Sequence, residues 1–197
     1  LSKRKLFPAL YQLDKAGLLA DSVRIAGVAR EDMDSVSFIK QMHESLQATL
    51  DTADWDDVVW KKFSQRLQYI RIDFSQKKQF SALKDWSLEK RTMIYYMATP
   101  PSIFGSICKH LDEAGCVGKT SRIVLEKPIG HDLHSSQEVN DTVGRYFPER
   151  NIYRIDHYLG KETVQNLLAL RFANRMINSQ WDNSCIDHIQ ITEDETV

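Results

Sequence analysis

Short runs rich in β-branched and aromatic residues alternate with segments of helical apolar spacing along almost the whole chain. That alternation leaves few folds open. Val23–Ala29 (VRIAGVA), Leu67–Ile72, Met93–Met97 (MIYYM), Arg122–Leu125 (RIVL) and Ile152–Ile155 read as strands, the first of them buried. Between them, Phe38, Ile39, Met42, Leu46 and Leu50 share one helical face, and Val59, Trp60 and Phe63 turn inward from a helical Trp55–Phe63. Phe80–Leu83 fits a short helix, Ser102 can cap one running to Glu113, and Leu133–Tyr146 and Thr163–Ala173 are helical. At the front, Ser2 can cap a helix with Leu6, Leu10, Leu13 and Tyr11 on one face, Pro8 in its early part and Gly17 as its stop. Ile186–Thr192 alternates like a strand of a new sheet. Strands separated by helices imply βαβ units and a mostly parallel sheet, in which ligands bind outside the carboxyl ends of strands.

A dinucleotide-binding fold normally opens with a strand, a glycine-rich turn and a helix. Here Leu1 to Lys5 already have the character of a helix N-terminus. The expected class is therefore α/β: a Rossmann-like, doubly wound, mostly parallel sheet whose first strand and phosphate turn lie outside the chain. The competing reading is a fold that simply starts with a helix. The expected division is a nucleotide-binding domain over 1–155, followed over 156–197 by the start of an α+β substrate or dimerisation domain.

The 197 residues suffice for one core, and 42% apolar with 27% charged residues is ordinary for a soluble globular protein. A formal net charge of -1 gives no global field for nucleic acid or an anionic membrane, so any phosphate must be met by locally placed cations. Cys108, Cys116 and Cys185 are odd in number and contain no C-x-x-C pair, which argues against a zinc site or a disulfide framework and for a reducing, cytoplasmic setting. His131 and His134 are too few for a typical zinc site, so no metal is expected. The four Trp are not interleaved with clustered cations as single-strand nucleic-acid grooves require.

Three strand ends carry charge. Arg30 follows the first strand, where an Arg accommodates a ribose 2′-phosphate and an acid would bind the 2′-hydroxyl. Glu31 and Asp32 follow at once, so a solvated charge run is the other reading. Lys127, in Glu126-Lys127-Pro128-Ile129-Gly130, can donate to a substrate hydroxyl and a cofactor together, or sit in an exposed turn. Arg154 to Glu162 (RIDHYLGKE) gathers two acids, an imidazole, a phenol and two kinds of cation where a strand gives way to a helix. His157, Tyr158 and Lys161 can all donate to phosphate oxygens, and a helix starting near Lys161 adds its amides. Asp156 cannot favour an anion, and orienting an imidazole base would explain it. A capped helix start with a satisfied His is the plain alternative.

These strings, in order, resemble the glucose-6-phosphate dehydrogenase family, most closely its bacterial members. LSKRKLFPALYQLDKAGLL, GVAR, YMATPPSIFG, EKPIG, RIDHYLGKE and LLALRFAN follow in the family's order and approximate spacing. The resemblance implies transfer of the C1 hydride of β-D-glucose 6-phosphate to NADP, with the hydroxyl proton going to a histidine, giving 6-phosphogluconolactone. By motif, it implies that Leu1, Ser2 and Lys3 flank the cofactor phosphates and that Arg30 meets the 2′-phosphate. Lys127 would contact nicotinamide ribose and sugar, and His157, Tyr158 and Lys161 the sugar phosphate. Asp156 would pair with the base, and Glu195 would bind a sugar hydroxyl. It also implies a homo-oligomer, with no nucleic-acid or membrane partner. None of the six histidines fits the family's base, so the resemblance implies an internal piece of the enzyme that lacks the glycine turn and the catalytic histidine and is inactive alone.

Two other readings compete. A different EKP-type NAD(P)-dependent sugar dehydrogenase would not need the RIDHYLGKE cluster. A non-catalytic ligand-binding module would show no turnover.

Overall fold

The computed structural model describes residues 2–87, 92–127, 129–130, 132–156, 158–190 and 192. The chain divides into two compact units, Leu1–Arg154 and Ile155–Val197.

In the first unit, a π-helical turn at Ser2–Leu6 leads into α1 (Phe7–Lys15). Then follow β1 (Ile25–Ala29), α2 (Ser35–Thr49), α3 (Asp57–Ser64), β2 (Leu67–Arg71), α4 (Ser81–Trp86), β3 (Ile94–Met97), α5 (Phe104–Glu113), β4 (Arg122–Glu126), α6 (Leu133–Gly144) and β5 (Ile152–Ile155). β1 pairs with β2 in parallel, Ile25 opposite Leu67 through Ala29 opposite Arg71. β3 pairs with β4 in parallel, Ile94 opposite Arg122 through Met97 opposite Leu125. The sheet order is β1-β2 in one block and β3-β4-β5 in the other, so the expected sheet is formed as two blocks among the described residues.

Two apolar clusters hold the elements. Phe7, Tyr11, Phe38, Met42, Leu46, Phe63 and Leu67 pack α1, α2 and α3 against β2. Ile70, Ile72, Met97, Phe104, Leu111, Ile123, Leu125, Val143 and Phe147 join β2, β3 and β4 to α5 and α6. Burying a large apolar side chain contributes ~1.5–3 kcal/mol, so these rings and branched chains fix the strand positions. At Gly27 the ring of Phe38 sits where a side chain would be, since a Cβ there would lie 2.5 Å from Phe38 Cζ.

Several local expectations change. β1 is half-buried throughout, since among the described residues only β2 pairs with it. The buried face of α1 is Phe7, Tyr11 and Asp14, while Leu13 is exposed; the spacing i, i+4, i+7 is kept, but an acid occupies one position. Ser2 lies within the π-helical turn and Ser102 within a 3-10 turn, and α1 and α5 start without a side-chain cap. Gly17 does end its helix, at φ +70, with its amide on the Asp14 carbonyl and that of Leu18 on the Leu13 carbonyl.

The second unit holds α7 (Glu162–Phe172) and α8 (Arg175–Ser179). The expected strand at Ile186–Thr192 is not formed: residues 186–190 and 192 carry no strand pairing, and Ile191 lies outside the described residues. A strand needs a hydrogen-bonded neighbour, and α7 and α8 offer none. Among the described residues no helix is long and apolar enough to cross a membrane.

Candidate functional site

At the carboxyl end of β1, Arg30 is exposed and its loop is tied down from the neighbouring strand. Arg71, at the end of β2, donates from Nε to the Arg30 carbonyl at 3.3 Å and from Nη1 to Asp32 Oδ1 at 3.0 Å. The Tyr69 hydroxyl donates to the Glu31 carbonyl at 2.8 Å, and the Tyr69 amide to Ser35 Oγ at 3.0 Å. Asp34 then caps α2 through the Ser37 amide. Arg30 therefore leaves a braced loop. Its charge reaches Asp73, whose carboxyl is held below the usual range first by the Ser75 hydroxyl and amide and further by Arg30. The sequence reading missed Arg71 and Tyr69. Parallel register alone places them beside Arg30, and register is not written in either strand by itself.

β3 ends at Met97, two residues before Thr99. The Thr99 hydroxyl is buried and has no hydrogen-bond partner among the described residues. A buried hydroxyl without a hydrogen bond is costly, and its place at a strand's carboxyl end fits a ligand that supplies the missing partner. The signal in the sequence was the Thr99-Pro100-Pro101 run that follows this strand.

β4 ends at Glu126, and Lys127 follows it, exposed. The Tyr96 hydroxyl of β3 donates to Glu126 Oε1. Burial, and then the Glu126 carboxylate, push the Tyr96 phenol well above its ordinary range, so it stays a donor. Pro128 lies outside the described residues. Gly130 has φ +88, and a Cβ there would lie 2.4 Å from the Ser136 amide nitrogen, so only glycine fits this close turn onto α6. Asp132 and Ser135 form a capping box that starts α6.

Arg154 closes the first unit and is engaged structurally. It makes a bidentate pair with Glu149, Nη1 to Oε1 at 2.6 Å and Nη2 to Oε2 at 3.1 Å, and donates from Nε to Asn140 Oδ1 at 2.9 Å. The pair holds the Glu149 carboxyl below its usual range.

In the second unit, Asp156 Oδ1 accepts the Tyr158 amide at 3.0 Å, and the Lys161 amide donates to the Tyr158 carbonyl at 3.1 Å. The second bond closes a tight turn over Tyr158 to Lys161. Lys161 becomes the residue preceding α7, with its Nζ 4.3 Å above the Tyr158 ring. The two bonds thus bring Asp156, Tyr158 and Lys161 together at a helix start, where amide groups and the dipole favour an anion. His157 lies outside the described residues, as do Leu1 and Glu195. Ser2 and Lys3 sit on the π-helical turn, Lys3 exposed and its carbonyl accepting the Ser45 hydroxyl.

The remaining described histidines have local partners. His110 Nδ1 lies 3.1 Å from the Phe74 carbonyl, His43 packs on Trp55 and Trp60, His134 faces Glu138, and His188 faces Asp187. Among the described residues no three His, Cys, Asp or Glu side chains converge as metal ligands.

Residues 1–166 match the family model described as glucose-6-phosphate dehydrogenase, NAD binding domain. The whole chain aligns with glucose-6-phosphate 1-dehydrogenase of Dickeya dadantii at 46% identity and of Gluconobacter oxydans at 43%, covering 40% and 41% of those proteins. The chain thus spans about 40% of the length of the curated relatives it matches. A crystal structure of glucose-6-phosphate 1-dehydrogenase from Mycobacterium avium superposes with a TM-score of 0.84 at 33% identity, over 93% of this chain and 39% of that one. A glucose-6-phosphate dehydrogenase in complex with its substrate glucose-6-phosphate gives 0.81 at 33% identity, over 93% and 40%.

Proposed function

The chain belongs to the glucose-6-phosphate dehydrogenase family, and on that premise we propose that its protein oxidises D-glucose 6-phosphate to 6-phospho-D-glucono-1,5-lactone with NADP, the first step of the oxidative pentose phosphate pathway. The observation that carries this reading is the placement of Arg30, Thr99 and Lys127, each at the carboxyl end of a different parallel strand, where open α/β sheets bind their ligands.

The residues present fit a phosphorylated dinucleotide. The Thr99 hydroxyl, without a partner among the described residues, suits a hydrogen-bonding ligand, and Arg30 leaves a loop braced by Tyr69 and Arg71, suited to a 2′-phosphate. Leu1, Ser2 and Lys3 serve the cofactor phosphates. When bound, the cofactor supplies the hydride acceptor. Lys127 orients the sugar and the nicotinamide ribose through its three donors. Lys161, Tyr158 and His157 take the sugar phosphate, supported by the helix start that follows Lys161. Asp156 orients the histidine base, and Glu195 meets a sugar hydroxyl. We further propose a cytoplasmic homo-oligomer, checked by size-exclusion chromatography with light scattering.

The test is NADPH formation, followed by absorbance, with the full-length protein that carries this chain. NADPH should appear with glucose 6-phosphate and NADP and be far slower with unphosphorylated glucose. Equal rates with both sugars would favour a different sugar dehydrogenase, and no turnover with either would favour a binding module.

A further inference from the structure

Tyr96 and Glu126 stand on adjacent strands, one residue before the exit from which Lys127 departs. Tyr96 lies opposite Val124. Residues 124 and 126 share a face of β4, so the phenol reaches diagonally along the sheet to donate to Glu126 Oε1. Both side chains are half-buried, whereas Lys127 is exposed. Three residues beyond Lys127, the chain is pinned again by the Gly130 turn against α6, where no side chain larger than hydrogen fits. Lys127 therefore follows directly on a fixed strand end, and the chain is fixed again at Gly130.

We propose that Tyr96 is a positioning residue for Lys127, acting through Glu126. The hydrogen bond has two effects. It fixes the end of β4 to β3, which sets the direction in which the next side chain leaves. It also holds the Glu126 carboxylate towards β3. An acid one residue away from a functional ammonium would otherwise compete for it, drawing the cation from the ligand. Neither Tyr96 nor Glu126 needs to touch substrate or cofactor for this. The proposal rests on the role given to Lys127 under the proposed function.

The experiment is steady-state kinetics of full-length variants. Tyr96→Phe keeps the ring and removes only the hydroxyl. It should lower kcat roughly ten-fold, a part of the ~100-fold that a 1 Å misplacement can cost, with KM for glucose 6-phosphate changed by less than about two-fold, the pattern of an interaction expressed in the transition state. Glu126→Gln keeps an acceptor for the phenol and should retain most activity, while Glu126→Ala should lose as much as Tyr96→Phe. The Tyr96→Phe/Glu126→Gln double variant should lose no more than Tyr96→Phe alone. A folded Tyr96→Phe protein with unchanged kcat overturns the proposal, as does a fall in thermal midpoint without a fall in kcat. If Tyr96→Phe does not fold, equal kcat for Glu126→Ala and Glu126→Gln overturns it. Lys127→Ala separates the two levels. If that variant stays active, the assignment of Lys127 fails. If it is inactive while Tyr96→Phe is normal, only the positioning role fails.

Discussion

Arg66 and Asp14 form a buried, bidentate ion pair across 52 residues of chain, Nε to Oδ2 at 3.1 Å and Nη2 to Oδ1 at 3.0 Å. Both side chains are almost wholly removed from solvent, at 5% and 1% exposure. The third guanidinium nitrogen, Nη1, donates to the carbonyls of Ala20, Asp21 and Val23, so the pair also ties down the α1–β1 loop. Removing one partner of such a pair strands a buried charge and costs ~3–5 kcal/mol, whereas replacing both with apolar groups is often neutral. Asp14→Ala should therefore lower the urea midpoint sharply, and adding Arg66→Met should restore part of it, the remainder being the cost of the loop carbonyls that lose their Nη1 donor. Chemical denaturation of the two variants checks this, and additive losses in the double variant would show that the pair is not coupled.

Arg30 is predicted to set the preference for NADP over NAD. A charged hydrogen bond contributes ~1.5–3 kcal/mol, so Arg30→Ala should raise the KM for NADP by roughly 10–100-fold and leave that for NAD within about two-fold. Arg71→Ala removes the brace on the Arg30 carbonyl and the partner of Asp32, and it should move the same ratio in the same direction by less. Initial rates with both cofactors decide it. Equal rises for the two would place Arg30 away from the 2′-phosphate.

Burial pushes the Cys108 thiol up from 9.0 to about 12. A thiol of this kind is neutral in both folded and unfolded states below pH 9. Between 9 and about 12 only the unfolded chain ionises, so stability present below the unfolded value is lost as pH rises through that window. The thermal midpoint of the protein should thus fall on the alkaline side, and Cys108→Ala should flatten that fall while lowering the midpoint at neutral pH through the space it leaves. Midpoints measured from pH 7 to 11 in both proteins test it, and parallel curves would rule Cys108 out as a source of the slope.

Strands and helices were legible wherever one period dominated. Ile152–Ile155 is a strand at the bounds its residues suggested, and Phe38, Met42 and Leu46 form the buried stripe of α2. What stayed hidden depends on a second segment. Asp14 breaks the apolar stripe of α1, and nothing in α1 announces that Arg66 will meet it. Tyr69 and Arg71 brace Arg30, and Tyr96 reaches Glu126, only through parallel registers that neither strand encodes alone. Arg154 counted in the sequence among the cations of the Arg154–Glu162 cluster, but the fold turns it to Glu149.

With Arg154 engaged there, Lys161 is the lysine that the Tyr158–Lys161 turn sets at the start of α7, above the Tyr158 ring. Its amide is already bound to the Tyr158 carbonyl, so the backbone of the turn does not depend on the side chain's charge. Lys161→Ala should for that reason leave folding intact and act on the ligand. Loss of one charged contact to a phosphate, ~1.5–3 kcal/mol, corresponds to a rise of roughly 10–100-fold in the KM for glucose 6-phosphate, with the KM for NADP unchanged. Lys161→Arg should recover part of it, since a guanidinium also pairs with phosphate. Raising the salt concentration should weaken glucose 6-phosphate binding in the parent more than in Lys161→Ala, because the lost contact is the one that salt screens. An unchanged KM for glucose 6-phosphate in Lys161→Ala would remove this lysine from the sugar-phosphate site.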